Sequence, residues 1–472
     1  MRETKSHSLR TLDGLKRASD SYVCNRETAL RRGALMEGSI LGGRGAELRG
    51  RSVVLLTKDQ LTSGVAFYEL DGLVRRLAIY SNELSLDHLP QVIADTGAEF
   101  VVTDRIDDVN GLKGVRLIRP DIARIVPSEY ERGPELRTEW VMLTSGTMGP
   151  PKLVAHTLES LIGAIGPSLL DAATPVWGTF YDIRRFGGLQ VFLRAAMAGA
   201  SLVLTSPDET PAEFLERAGA LGVTHISGTS SQWRRALMCG AAEKIQPHYV
   251  RMSGEIADQA LLNHLREIYP AARIVHAFGS SEAGTVFEVA DGLEGFSHET
   301  LAGGRGVEMK LENETLHVRS GRTASRYLGE NAPALKDAAG WVDTGDVVEL
   351  KHGRYRFAGR RDGRINVGGL KVHPEEVEAA INRHPDVQMS LVRAKKNAVT
   401  GAVVTAEVVL KTTGDGADRQ TIEEILRACR RELSAHKVPA VIHVVERLEI
   451  AQSGKIARSE ASELVPQDAV NV

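Results

Sequence analysis

Val141-Met142-Leu143-Thr144-Ser145-Gly146-Thr147-Met148-Gly149-Pro150-Pro151-Lys152 is an apolar strand that runs into three hydroxyls, two glycines, two prolines and a lysine. Glycine lets backbone N–H groups turn toward an anion, hydroxyls add donors, and lysine brings charge. The G-x-x-x-x-G-K-[ST] spacing of a Walker loop is absent. Taken alone, the segment suits an anion-binding loop and an ordinary surface loop equally well. Other glycine clusters, such as Gly42-Gly43-Arg44-Gly45 and Gly303-Gly304-Arg305-Gly306, lack dinucleotide-binding spacing and read as turns.

Outward from that strand, short apolar runs alternate with helical periodicity. Ser52–Leu56, Phe100–Val102, Ser201–Leu204, His225–Ser227 and Arg273–Ala277 read as buried strands, and Leu86–Thr96 and Ala212–Leu221 as amphipathic helices. The alternation predicts an α/β fold with largely parallel sheets. After about residue 300 the pattern changes. Glu308–Leu316 and Tyr355–Ala358 read as short half-exposed strands, and Trp341–Asp346 as a turn carrying two acids. Pro374 suits the first position of a helix whose first turn holds Glu375, Glu376 and Glu378. Helix, strand, strand, helix, strand then follow as a small α+β unit. The polar stretch Gly359–Arg364 is the best boundary, giving domains 1–361 and 362–472, although a charged hairpin turn reads equally well there.

The 472 residues predict more than one folding unit, and 42% apolar residues are ample for a large core. Fifty-eight Lys and Arg against 61 Asp and Glu argue against a nucleic-acid binder. Cys24, Cys239 and Cys429 are widely spaced and odd in number, which fits a reducing compartment and no metal cage. The chain shows no apolar core of signal-peptide length and no membrane-spanning stretch, so a soluble cytoplasmic protein is expected.

Four further segments occur in order: Ala277-Phe278-Gly279-Ser280-Ser281-Glu282, Trp341–Asp346, Gly359-Arg360-Arg361-Asp362 running into Ile365–Glu378, and Ser453-Gly454-Lys455. With the opening segment they make the chain, from about Leu30 to Arg458, resemble the adenylate-forming superfamily of acyl- and aryl-CoA synthetases, peptide-synthetase adenylation domains and firefly luciferase. The resemblance implies a large N-terminal adenylation domain of packed sheets and helices with a small mobile C-terminal domain. It implies ATP, Mg2+ and a thiol acceptor, either coenzyme A or the phosphopantetheine of an acyl carrier protein. The chemistry joins a small carboxylic acid to AMP and then passes the acyl group to the thiol.

Residue by residue, the resemblance places Thr144, Ser145, Gly146, Thr147, Gly149 and Lys152 at the β- and γ-phosphates and Glu282 at the magnesium ion. Phe278 stands where a tyrosine usually faces adenine, between Gly279 and Ser281 and the substrate-wall residue Ala277; Gly254 and Glu255 match the segment on the other face. A core aromatic at Phe278 and an ordinary strand-end turn at Gly254 are the plain alternatives. Asp346 matches the ribose-binding acid, and Arg360 the arginine near ribose and phosphate. Lys455 matches the lysine that touches both the acid and the α-phosphate, Asp362 the hinge, and Gly368 and Gly369 the strand beside the thiol channel. Ser227, Gly228 and Gly254 leave room for the acid.

The chain also departs from the pattern. Met148 removes a hydroxyl, and Glu449 and Ala451 replace a usual proline and threonine. Lys371 stands for arginine, and Phe180-Tyr181-Asp182 lacks the usual histidine. Asp182 is misplaced to hold an α-amine, while Arg184 or Arg185 either holds a second anion or is surface charge. A degenerate protein that binds nucleotide without turnover is the rival from another class. Monomer and homodimer are both open.

Overall fold

The computed structural model describes residues 8–11, 20–127, 135–144, 150–166, 175–304, 306–397, 400–411, 417–448 and 470–471. Among them, two large sheets dominate. The eight-stranded sheet runs in the order Gly284–Val289, Arg273–Ser280, Tyr249–Ser253, His225–Gly228, Val176–Thr179, Ser201–Leu204, Tyr22–Cys24 and Ala29–Arg31, parallel except at its two end pairs. The seven-stranded sheet runs Arg326–Leu328, Lys152–His156, Glu139–Thr144, Arg76–Tyr80, Ser52–Leu56, Phe100–Thr103 and Arg116–Ile118. The largest buried cluster joins the two, with Trp140 and Met142 of one sheet, Trp177 and Val275 of the other, and Phe192 of the Phe186–Ala198 helix in it. Parallel strands buried on both faces need the continuous apolar runs seen at Ser52–Leu56, all five of whose residues are buried.

The helix expected at Ala212–Leu221 spans Pro211–Ala220, opened by a Thr210–Glu213 capping box with proline in the first turn. The one expected at Leu86–Thr96 divides into a 3-10 turn, Leu86–His88, and an α-helix, Leu89–Thr96, because Pro90 admits an N-terminus but no hydrogen bond back.

A third sheet of four strands, Val307–Glu312, Thr315–Ser320, Val342–Lys351 and Arg354–Arg360, corrects two readings. Glu308–Leu316 is not one strand but most of a hairpin, turned at Asn313 and Glu314 with φ of 50° and 67°. Trp341–Asp346 is not a turn: from Val342 onward it is strand, paired on both sides. The turn-like chemistry is still present, since the Asp343 carboxylate accepts from the Gly345 amide at 2.9 Å. Neighbouring strands simply recruit the segment.

Beyond residue 363, the hairpin Ile365–Val367/Leu370–Val372 precedes the Pro374–Ile381 helix, and a second sheet carries the Ala417–Glu432 helix. The core of this unit draws only on residues from Ile365 onward. Asp362 lies in an exposed 3-10 turn, Arg361–Gly363, between the two bodies. Polar contacts cross the gap: Lys351 Nζ to Glu376 Oε1 at 2.9 Å, and Arg234 Nη1 to the Gln388 carbonyl at 3.2 Å.

One backbone position bears directly on the site. Gly284 has φ of +71°, and a Cβ there would lie 2.2 Å from the Arg322 carbonyl oxygen. Gly284→Ala is therefore expected to cost about 2–3 kcal/mol from strain and clash together. The check is a melting temperature several degrees below that of the parent protein in a thermal scan.

Candidate active site

The two large sheets meet where the Lys152–His156 strand passes the turn that follows Ser280. Lys152 pairs with Thr144 in the antiparallel hairpin whose connecting loop holds Ser145, Gly146, Thr147 and Gly149; those four lie outside the described residues. On the other side of the strand, Tyr327 pairs with Val154. Lys152 Nζ stands 5.5 Å from the centroid of the Tyr327 ring, and the Tyr327 hydroxyl donates to Glu282 Oε1 at 3.2 Å. One aromatic side chain thus holds a cation over its face and a carboxylate at its tip. Burial and the Glu282 charge both push the Tyr327 phenol up, so it stays a donor at any ordinary pH.

His156 makes a second tie across the same seam. Its ring is fully buried, Nε2 lies 2.6 Å from the Ser281 carbonyl and Nδ1 2.9 Å from the Ser160 hydroxyl. A carbonyl only accepts, so Nε2 carries the proton. Burial, against the pull of that carbonyl, lowers the imidazole to about 4, which keeps the ring neutral. Neither Tyr327 nor His156 was singled out in the sequence. His156 could have been suspected from alternation, since it stands four residues from Lys152 on the same strand and so on the same face; Tyr327 carried no such signal, because no motif residue shares its strand.

The two residues expected on the ribose side also converge. Asp346 and Arg360 are cross-strand partners, with Arg360 Nη1 3.5 Å from Asp346 Oδ1 and 2.8 Å from the Thr344 carbonyl. Arg361 bonds Asp343 at 2.8 Å, so its charge is paired at the surface. The Phe278 ring stacks on Phe357 at 4.6 Å between centroids and on Phe287 at 5.5 Å, so it belongs to an aromatic cluster while remaining half-buried. Gly279 is required by the sheet, for a Cβ there would meet the Gly284 carbonyl oxygen at 2.6 Å.

Comparison with known proteins then decides the family. The AMP-binding enzyme model matches residues 77–321, and the AMP-binding enzyme C-terminal domain model matches 376–455. The chain belongs to the AMP-binding enzyme family. A p-hydroxybenzoic acid–AMP ligase, FadD22 of Mycobacterium marinum, is 28% identical over 90% of this chain and 64% of its own, so the chain spans under two thirds of that relative. A 2-succinylbenzoate–CoA ligase of Listeria innocua is 28% identical over 69% of this chain and 70% of its own. The crystal structure of the anthranilate CoA ligase AuaEII with anthranoyl-AMP superposes with a TM-score of 0.79 at 20% identity, covering 94% and 95% of the two chains, and supports the fold.

In this AMP-binding enzyme the acid wall departs from expectation at two points. Arg184 is buried, with Nε 2.8 Å from Asp182 Oδ1, Nη1 2.6 Å from the Thr57 carbonyl and Nη2 also on Asp182, so every guanidinium nitrogen already has an acceptor. Gly228 leaves no room for the acid on its Cβ side, where Phe180 stands 2.9 Å away. Ser227 and Ala277 are buried on the same sheet. Glu255 accepts from the Ser231 amide at 2.7 Å and so caps the Ser230–Met238 helix, after an exposed Gly254 with φ of +86°. The Tyr181 hydroxyl lies 2.6 Å from the Gly228 carbonyl and accepts from the Ser253 amide at 2.9 Å, tying two strand ends at the rim. Gly368 and Gly369, with φ of +57° and +90°, form an exposed two-residue hairpin turn within the small unit. Lys455 with Ser453 and Gly454, and Met148, Glu449 and Ala451, lie outside the described residues.

Two outcomes are expected. Tyr327→Phe keeps the ring under Lys152 but removes a donor from Glu282, and should weaken nucleotide binding about tenfold, measured by calorimetry. His156, held neutral, binds no proton in the fold until about pH 4 and binds one near 6.5 when unfolded. Its contribution is intact above pH 6.5 and falls as pH drops, by about 2 kcal/mol at pH 5. His156→Asn should flatten that part of the stability–pH curve, measured by denaturant unfolding between pH 7 and 5.

Proposed function

We propose that this chain is an AMP-forming acid–thiol ligase: it joins a small carboxylic acid to the α-phosphate of ATP, releases pyrophosphate, and passes the acyl group to coenzyme A. The observation that carries the reading is the convergence of Lys152, Tyr327 and Glu282 on one seam, with Arg360 close enough to influence the Tyr327 phenol. Lys152 offsets phosphate charge, and Asp346 accepts from the ribose hydroxyls. Glu282, a half-buried carboxylate held by one donor, suits a hard cation that otherwise keeps its waters. Magnesium bound there would supply charge neutralisation to the phosphate oxygens.

In this reading, Lys455 is the ammonium that meets both anions in the first half-reaction. The separate core of the small unit and the exposed turn at Asp362 support a swivel that exchanges Lys455 for the Gly368–Gly369 hairpin. The domains are taken as 1–361 and 362–472. Relatives named for p-hydroxybenzoic acid and 2-succinylbenzoate favour a ring acid here too. A carrier-protein thiol remains the alternative acceptor, to be separated by supplying free coenzyme A and holo carrier protein side by side.

Acid-dependent exchange of labelled pyrophosphate into ATP tests the reading; no exchange across fatty, aromatic, dicarboxylic and amino acids would convert the enzyme into a mere nucleotide binder. Lys455→Ala should lose adenylate formation at least 100-fold and spare thioester formation from preformed acyl-adenylate, while Gly369→Leu should do the reverse. Equal loss of both half-reactions in either variant would remove the assigned role.

A further inference from the structure

Away from the Asp362 turn, the small unit meets the large one at an arginine. Arg234 stands on the Ser230–Met238 helix; its Nη1 lies 3.2 Å from the Gln388 carbonyl, and its Nη2 donates to Asp258 Oδ2. The Arg234 and Asp258 side chains are 12% and 13% exposed. The pair is therefore shielded from the water and salt that leave most surface ion pairs worth little.

Both sides of this contact are prepared by the backbone. Gln388 sits in a β-bulge: the Val387–Asn397 strand pairs Val387 with Leu410 and Met389 with Val409, so Gln388 faces no residue of the neighbouring strand Gly401–Leu410. A bulge disrupts the ladder locally and leaves its extra residue unpaired. The carbonyl released here is the one Arg234 meets. On the large unit, Asp258 divides its oxygens. Oδ1 accepts from the Leu261 amide at 3.0 Å and opens the Gln259–Ile268 helix, leaving Oδ2 for the guanidinium. Glu255, three residues earlier, holds the Ser231 amide one helical turn before Arg234. The donor is thus fixed within the large unit, and little further ordering is needed when the small unit docks. Lys411 widens the contact. Burial lowers the imidazole of His264 on the Gln259–Ile268 helix, and Lys411 and Arg234 push it the same way.

The pose held in this way leaves the Gly368–Gly369 tip unused. No described atom of the large unit stands within 4 Å of where their side chains would begin, and Leu370 beside them is 53% exposed. A pose whose glycine tip touches nothing of the large unit is not the one that lines a thiol channel.

We propose that Arg234 is a positioning residue for the first half-reaction. Its bond to the Gln388 carbonyl, made by a guanidinium that Asp258 holds, latches the small unit in the pose that activates the acid. The latch opens before the glycine hairpin takes its place in thiol transfer. The inference rests on the ligase reading above.

Three variants and two readouts test it. Arg234→Met removes the latch. Asp258→Asn keeps an oxygen to cap its helix but loses the charge that holds the guanidinium. Gln388→Ala spares the backbone carbonyl and is the control. Trypsin cleavage after Arg361 in the exposed turn, located by mass spectrometry, reads release of the small unit. R234M and D258N should be cut about fivefold faster or more, and Q388A at the wild-type rate. The same two variants should slow acid-dependent pyrophosphate exchange about fivefold or more and leave thioester formation from preformed acyl-adenylate equal or faster. A variant that merely folds poorly is recognised by a lowered melting temperature, and the other then carries the comparison. Equal slowing of both half-reactions by a variant that melts with the parent, wild-type cleavage in R234M and D258N, or faster cleavage in Q388A as well would each overturn the proposal. No exchange with any acid in the wild type would instead defeat the ligase reading, and the cleavage rates alone then decide whether Arg234 holds the small unit.

Discussion

Two hydrogen bonds across one seam hold the candidate site together. The lysine belongs to the seven-stranded sheet and the glutamate to a turn of the eight-stranded one, so no single element fixes their separation. Tyr327 to Glu282 and His156 to Ser281 do that, the first from the strand beside Lys152 and the second from the far end of its own strand. Either bond lets the sheets shift if lost, and the positioning of reacting groups tolerates little displacement. Because the histidine is fully buried, it must also remain uncharged for its tie to hold. The same constraint explains Gly284, where the turn carrying Glu282 runs so close to the Arg322 backbone that no side chain fits.

The two bodies are joined in the opposite manner. Each has its own apolar core, and polar pairs reach from one to the other: Lys351 with Glu376, Arg364 with Glu314, Arg234 with Gln388. Lys351 Nζ also lies 2.8 Å from Glu349, and Lys437 Nζ 2.6 Å from Glu376, so each partner has another ion to hold once the contact opens. Surface pairs of this kind contribute about 0–1 kcal/mol each. The seam beneath the candidate site and the joint on which the proposed swivel would turn are therefore built from different interactions in one chain.

Much of this was legible in the residues. Apolar runs such as Ser52–Leu56 and His225–Ser227 became strands because such runs have few other stable fates, and Pro374 opened a helix as its missing N–H dictates. The strand at Val342–Lys351 was hidden because acids, glycine and threonine describe local hydrogen bonding and say nothing of neighbours. The candidate residues divided on similar lines. Lys152 and Glu282 share Tyr327, and Arg360, paired with Asp346, lies close enough to act on the same phenol. Gly228 and Gly279 carried a second reason to be glycine, close packing against Phe180 and against the Gly284 backbone, which no one-dimensional pattern reveals. Arg184 was ambiguous for want of its partners, and the fold supplied Asp182 and two backbone carbonyls.

Charge accounting separates the arginines that sequence could not rank. A guanidinium whose nitrogens all have acceptors, as in Arg184, has no reason to attract a ligand, however buried it is. Arg361 is matched one to one with Asp343 at the surface. Arg194 differs from both: it shares the Glu288 carboxylate with Arg251 and keeps an unmatched N–H in the interior. Desolvating a charge without completing its hydrogen bonds is among the costlier things a fold can do, and here it is done within the body of the large unit.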